Sequence, residues 1–293
     1  MKILLTGKNG QVGFELQRAL APLGQVTALG HAECDLADAA ALRSLMRSMK
    51  PDIIVNPAAY TAVDRAEADT ALAQAVNGTA PGVLGEEAAA LGALVVHYST
   101  DYVFDGTGQG AYREDHAVNP QNVYGQTKLA GERALQQSGA AHLIFRTSWV
   151  FGAHGANFAR TMLRLAADRD TLNVVADQWG APTSAALIAD VTAQVLGKYP
   201  RSQDFAPGLY HLAAGGETQW CDYARTVIAA GHAAGRPLKL LPENVRPITT
   251  AEFPTPARRP ANSRLDTRKL QQAFGLTLPP WQDGLSHVLQ QLL

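Results

Sequence analysis

Short apolar runs alternate with stretches of helical periodicity through the first half of the chain. KILLT at 2–6, QVTAL at 25–29, DIIVN at 52–56, ALVVHYS at 93–99 and HLIFR at 142–146 are apolar runs of strand length. Between them, 11–23, 39–49, the Ala-rich stretch 70–91 and 124–138 read as helices, with Pro51 closing the second. Strands that are apolar throughout, rather than at every other position, are buried on both faces. Alternating with helices, they predict a parallel sheet with right-handed crossovers, and hence a doubly wound α/β fold. Ligands of such sheets lie beyond the carboxyl ends of the strands. That places Thr6, Asn56, Ser99, Thr100 and Arg146 around one crevice.

The texture changes after Arg146. Gly, Pro and aromatic residues appear at 149–157 and 177–183, and 242–264 is a Pro- and Arg-bearing loop without clear period. Helical patterns return at 158–168, 185–199, 218–234 and 281–292. The expected organisation is a sheet domain over 1–148 and a smaller lobe mainly from 149–293 that closes over the crevice, with segments exchanged between them.

Composition narrows the possible functions. Of 293 residues, 46% are hydrophobic and 17% charged, ample for a core. The formal net charge of −1 provides no field for nucleic acid or an anionic membrane. Cys34 and Cys221 are the only cysteines, which excludes a disulfide framework and fits a reducing compartment. No apolar run is long enough to span a bilayer, and the opening KILLTG is too short for a signal-peptide core. A cytoplasmic protein is expected. The eight histidines are scattered, with no HxxxH or Cys/His grouping, so no zinc site is expected.

TGKNGQVG follows the first strand directly, with Gly7, Gly10 and Gly13 spaced GxxGxxG at the entrance to a helix. In that setting glycines permit a tight turn, close approach of backbone to a pyrophosphate and close helix–strand packing. The helix beginning near Gln11 points its amide groups and positive end at the phosphates. A carboxylate at the end of the second strand selects a ribose 2′-hydroxyl, and an arginine accepts a 2′-phosphate. Here that stretch reads Gly30, His31, Ala32, with Glu33 beyond, so tolerance of both NADPH and NADH is predicted. Asp35 and Leu36 are the expected adenosine contacts. Farther along, VYGQTK sets Tyr124 and Lys128 four residues apart, on one helix face. Taken alone, such a pair is an ordinary solvated surface.

These motifs, with NPAAYTAVDRAE at 56–67, YSTDYVFDG at 98–106 and VYGQTKLAGE at 123–132, resemble the extended short-chain dehydrogenase/reductase superfamily. IFRTSWVFG at 144–152, DQWGAPT at 177–183, GLYHLAAGG at 208–216 and RPANSRL at 259–265 continue the resemblance end to end, toward the dTDP-4-dehydrorhamnose reductase family. The resemblance implies a Rossmann-type cofactor domain and NAD(P)H-dependent reduction of the 4-keto group of a nucleotide sugar, dTDP-4-dehydro-β-L-rhamnose. It assigns catalysis to Thr100, which polarises the carbonyl, Tyr124, which donates the proton, and Lys128, which lowers the phenol's pKa and binds the nicotinamide ribose. It places Gly10, Gln11 and Val12 at the cofactor's pyrophosphate, Ala59, Tyr60 and Thr61 at its ribose and phosphates, and Tyr98 behind the nicotinamide. Pro57 and Tyr60 depart from the smaller or imidazole residues expected there. Asp101, Trp149 and Arg259 are the implied substrate contacts, and 181–183 shapes the nucleotide pocket.

Some relatives bridge dimers with Mg2+ through acidic side chains. Glu15 is available here, but SAALI at 184–188 offers no carboxylate, so a monomer or weak homodimer is expected. Two other readings share the fold. A nucleotide-sugar dehydratase or epimerase is one, although dehydratases place two acidic residues after the threonine and here Tyr102 follows Asp101. A non-catalytic, reductase-like regulatory subunit is the other, and the complete catalytic threesome speaks against it.

Overall fold

Five parallel strands form where the apolar runs predict them: β1 (Lys2–Leu5), β2 (Gln25–Ala28), β3 (Ile53–Asn56), β4 (Leu94–Thr100) and β5 (His142–Thr147). The computed structural model describes residues 1–199 and 205–293. A sixth strand, Gly208–His211, pairs in parallel with β5, giving the order Gly208–His211, β5, β4, β3, β1, β2. The order reverses between β1 and β3, which opens a crevice above their carboxyl ends.

Strand residues alternate between two cores, as the two-residue period requires. Leu5, Val55, Val96 and Phe145 meet one helical layer, with Leu16, Ile188, Leu270 and Phe274. Leu4, Ile54, Val95 and Ile144 meet the other, with Leu42 and Leu84. Every residue of β3 and β4 is buried, which explains their unbroken apolar sequence.

The later chain contributes to both lobes. Helix Ala185–Lys198 packs against helix Gln11–Leu20, and helix Arg268–Phe274 packs against strand Gly208–His211, so both complete the sheet domain. A separate core gathers Phe151, Leu163, Tyr223, Leu240, Val245 and Trp281. The 242–264 stretch, expected as a loop, contains the strand Val245–Ile248 paired in parallel with Leu172–Val175. Its two middle residues, Arg246 and Pro247, are exposed, so the strand carries no apolar pattern.

The 70–91 stretch is helical as Thr70–Ala73, Gln74–Thr79 and Ala80–Leu91, the middle part with the wider π turn. Such turns commonly mark functional sites. No described helix is long and apolar enough to cross a membrane.

Candidate active site

The glycine loop is built as its spacing predicts. Gly7 has φ 62°, in the left-handed region, and its carbonyl accepts from the Gly10 amide at 3.0 Å. A Cβ on Gly13 would lie 2.0 Å from the Gly7 carbonyl oxygen, so the first turn of helix Gln11–Leu20 presses directly on the loop. Gly10 caps that helix without a side chain. The amides of Gln11 and Val12 therefore lack a capping partner, and the helix's positive end faces the crevice. A dinucleotide's pyrophosphate fits this cradle.

The two adenosine-side candidates are placed differently. The Asp35 side chain accepts from the Ala37 amide at 2.9 Å and remains half exposed. Leu36, by contrast, is buried in the core with Leu42 and Met46, so its side chain is not free to contact adenosine. The run after β2 tucks inward, and its apolar residue follows. Across the crevice, Thr61 is exposed and Ala59 and Tyr60 are half-buried. Asn77, in the π turn, accepts from the Tyr60 amide at 2.9 Å and donates to its carbonyl at 3.0 Å and to Thr127 Oγ1 at 3.3 Å. The Tyr60 hydroxyl donates to Asp69 at 2.8 Å. Asn77 thus ties the strand exit to the helix bearing Tyr124. It is the one polar side chain buried in that turn.

Helix Val123–Gln137 starts where Asn122 accepts from the Gly125 amide at 2.8 Å and donates to the Arg258 carbonyl at 2.8 Å. A Cβ on Gly125 would lie 2.3 Å from the Tyr102 carbonyl oxygen, so only glycine lets this turn approach the end of β4. The approach brings the half-buried Tyr124 beside Thr100 and edge-on to Tyr102, with ring centroids 5.6 Å apart. Thr100 donates to Asp101 Oδ1 at 3.0 Å, and the other Asp101 oxygen is buried without a partner. Burial pushes the Asp101 carboxyl up to about 6, against the hydrogen bonds from Ser263 and Thr100. Burial and the nearby Asp101 push the Tyr124 phenol up to about 12, with Thr100 pulling the other way.

The Lys128 side chain is anchored to β4. Its Nζ, almost wholly buried, donates to the Tyr98 carbonyl at 2.6 Å and lies 3.3 Å from His97 Nε2. Its hydrogen bonds run to β4 rather than to Tyr124. Burial pushes the amine down to about 8, opposed by Glu132 one turn along. Behind it runs a buried chain: Asn56 Nδ2 is 3.2 Å from His97 Nδ1, and Thr6 donates to Asn56 Oδ1 at 2.6 Å. Burial and the Lys128 charge hold His97 well below its ordinary value.

Tyr98 also differs from expectation. Its ring lies in the main core, its hydroxyl 2.8 Å from Thr192 Oγ1, and only its carbonyl faces the lysine. Alternation along β4 turns His97, not Tyr98, toward the site.

Trp149 is a strained residue, at φ 49°. It stacks on Trp220 at 3.7 Å and covers Gly180, where a Cβ would come within 2.6 Å of the indole. In this state it is parked against the second lobe. Arg259 donates to Asp64 at 2.7 Å and leaves Nη1 buried without a partner. With Arg258, Arg264, Trp179 and Asp105 it lines a cleft of about 530 Å³. Glu15 Oε2 lies 3.6 Å from Arg18, which pairs with Asp190 at 2.9 Å. Asp190 is thus the carboxylate facing this helix, two residues beyond the stretch where one was sought. The described residues contain no group of three His, Cys, Asp or Glu arranged to hold a metal ion.

The profile of the family described as the RmlD substrate binding domain matches residues 1–293. The dTDP-4-dehydrorhamnose reductase of Escherichia coli (strain K12) is 53% identical over 296 residues, covering 100% of this chain and 98% of the relative. That of Burkholderia thailandensis is 48% identical, covering 100% and 99%. Among solved structures, a dTDP-4-dehydrorhamnose reductase from Clostridium acetobutylicum superposes with a TM-score of 0.91 at 35% identity, covering 100% and 99%. The Bacillus anthracis enzyme, solved in complex with NADP, gives 0.89 at 31% identity, covering 99% of each chain.

Proposed function

The chain belongs to the dTDP-4-dehydrorhamnose reductase family, and from that premise we propose that it reduces the 4-keto group of dTDP-4-dehydro-β-L-rhamnose to give dTDP-L-rhamnose, with NADPH or NADH as reductant. The observation that carries the reading is Tyr124: a half-buried phenol beside the Thr100 hydroxyl at the end of β4, across from an uncapped glycine-loop helix. When bound, the reduced nicotinamide supplies the hydride. The chain's own residues handle the oxygen.

Thr100, turning its one hydroxyl proton from Asp101, and Tyr124 both present hydroxyls to the sugar's carbonyl oxygen. As the carbon gains hydride, that oxygen becomes an alkoxide, and Tyr124 gives it its proton. A phenol raised to about 12 is fully protonated at neutral pH and so is loaded for donation. An alkoxide is more basic than a phenolate, so the transfer runs downhill without prior acidification. Lowering the phenol from about 12 to about 7 would require about 7 kcal/mol, at about 1.36 per unit. Reduction does not need it. Lys128, at about 8, is mostly charged near neutrality. Anchored to the Tyr98 carbonyl, it keeps a donor for the cofactor's ribose hydroxyls and stabilises the phenolate left after transfer.

The arginine-lined cleft suits the substrate's diphosphate, with Arg259 in its wall. Asp101 is placed for a sugar hydroxyl. Trp149, released from Trp220, would cover the pyranose.

The test supplies dTDP-4-dehydrorhamnose with NADPH or NADH and follows nicotinamide oxidation and the product. One cofactor oxidised per dTDP-L-rhamnose formed is expected. Sugar isomerisation without cofactor consumption would point to an epimerase, and no turnover at all would overturn the assignment.

A further inference from the structure

The end of β2 carries an unusual arrangement for a chain that binds a dinucleotide at the glycine loop, a premise taken from the reading above. A carboxylate at this point commonly receives the adenosine ribose. Here the position is Gly30. The space a side chain would occupy is already filled, since a Cβ on Gly30 would lie 2.9 Å from Asn9 Nδ2 and 3.2 Å from Glu33 Oε2. Glu33 reaches back to this spot through a tight turn in which the Glu33 and Cys34 amides both donate to the Gly30 carbonyl, at 3.2 and 2.9 Å. Cys34 is buried and anchors the turn.

The returning carboxylate meets a cation. Glu33 Oε2 accepts from the Gly30 amide at 2.6 Å, and Oε1 accepts from Lys8 Nζ at 2.5 Å. Lys8 belongs to the glycine loop itself, and its amide donates to the Leu29 carbonyl at 3.1 Å, fixing it against the end of β2. Both side chains retain solvent access, 29% for Lys8 and 48% for Glu33. Lys8 and the Gly30 amide hold the Glu33 carboxyl below its usual range. The other ionisable groups of this turn, His31 and Asp35, lie 3.7 Å apart from each other and are open to water.

We propose that Lys8 and Glu33 form a two-way clasp that sets the choice between NADH and NADPH. Glu33, three residues beyond Gly30, accepts from the ribose hydroxyls of NADH. Lys8 leaves Glu33 and pairs with the 2′-phosphate of NADPH. Each charge partly cancels the other, so neither cofactor is strongly excluded.

Binding, rather than turnover, tests this. NADPH, NADH, adenosine 2′,5′-bisphosphate and 5′-AMP are titrated by calorimetry into the full chain and into Glu33→Gln and Lys8→Met. The unaltered chain is expected to bind NADPH and NADH within about tenfold of each other. Glu33→Gln frees Lys8 and removes repulsion, tightening NADPH and the bisphosphate roughly tenfold while weakening NADH a few-fold. Lys8→Met weakens NADPH and the bisphosphate roughly tenfold and leaves NADH within about threefold. Variants that shift both cofactors by one common factor, or leave their ratio unmoved, would overturn the clasp while leaving the cofactor site standing. Failure of the unaltered chain to bind either cofactor or either fragment would overturn the site itself, and the clasp with it.

Discussion

Glu132→Gln isolates the electrostatics beneath the catalytic helix. Arg146, in β5, donates to Glu132 through Nε at 2.9 Å and Nη2 at 2.7 Å, and both side chains are almost wholly buried. The guanidinium also sits 5.1 Å over the Phe104 ring, and its Nη1 has no partner. Glutamine keeps the shape and one acceptor but removes the compensating charge, leaving a buried cation facing an amide. Breaking a buried pair from one side costs about 3–5 kcal/mol. At about 2–4 °C per kcal/mol for a chain of this size, melting should fall by roughly 6–20 °C. Urea unfolding at neutral pH measures the free energy directly. Removing both partners as Glu132→Leu with Arg146→Met should recover most of the loss, because no uncompensated charge remains. Glu132 is also the charge that opposes the burial penalty on Lys128, so the single variant should drop the amine further below about 8. A single-variant loss under about 1 kcal/mol, or a double variant less stable than the single, would refute this reasoning.

Three further outcomes follow from the geometry. Asn77→Ala unpairs both backbone groups of Tyr60, at a cost of about 1–3 kcal/mol, and steady-state kinetics should show the cofactor KM rising more than kcat falls. Gly13→Ala drives a methyl into the Gly7 carbonyl and should abolish cofactor binding in calorimetry while circular dichroism still reports a folded chain. Acid should destabilise the protein: His97 is held well below its ordinary value and His211 at about 3, so below pH 6.5 the unfolded chain takes up protons that the folded chain refuses. Each histidine then removes up to about 1.4 kcal/mol per pH unit. Asp101, raised to about 6, acts oppositely between its unfolded value near 3.8 and its folded value, but is one group against two. Denaturation midpoints that stay flat from pH 7.5 to 5 would contradict this balance.

Much of this architecture was legible in the sequence because continuous apolar runs mark strands buried on both faces, and all five were found. Strand Gly208–His211 escaped because it begins with glycine and returns to the sheet after a long excursion. The pair Leu172–Val175 and Val245–Ile248 escaped because exposed Arg246 and Pro247 erase its apolar signature. At the site, the four-residue spacing put Tyr124 and Lys128 on one helix face but said nothing of what that face meets. The lysine's amine turns to the Tyr98 carbonyl and His97, a tertiary fact. His97 was within reach: on β4, the two-residue period sets it with Val95 and sets Tyr98 with Val96, so only one of the two can face the catalytic helix. Asn77 was harder, one of several polar residues in an Ala-rich stretch, whose partners lie at Tyr60 and Thr127.

The central claim is that Tyr124 supplies the proton to the sugar oxygen. Single-turnover reduction by Tyr124→Phe, with cofactor affinity measured in parallel, tests it most directly. The account predicts a fall in rate of about 10²–10⁴ with cofactor affinity within a few-fold of the unaltered chain. A rate close to that of the unaltered chain would contradict it, because another acid would then be protonating the substrate.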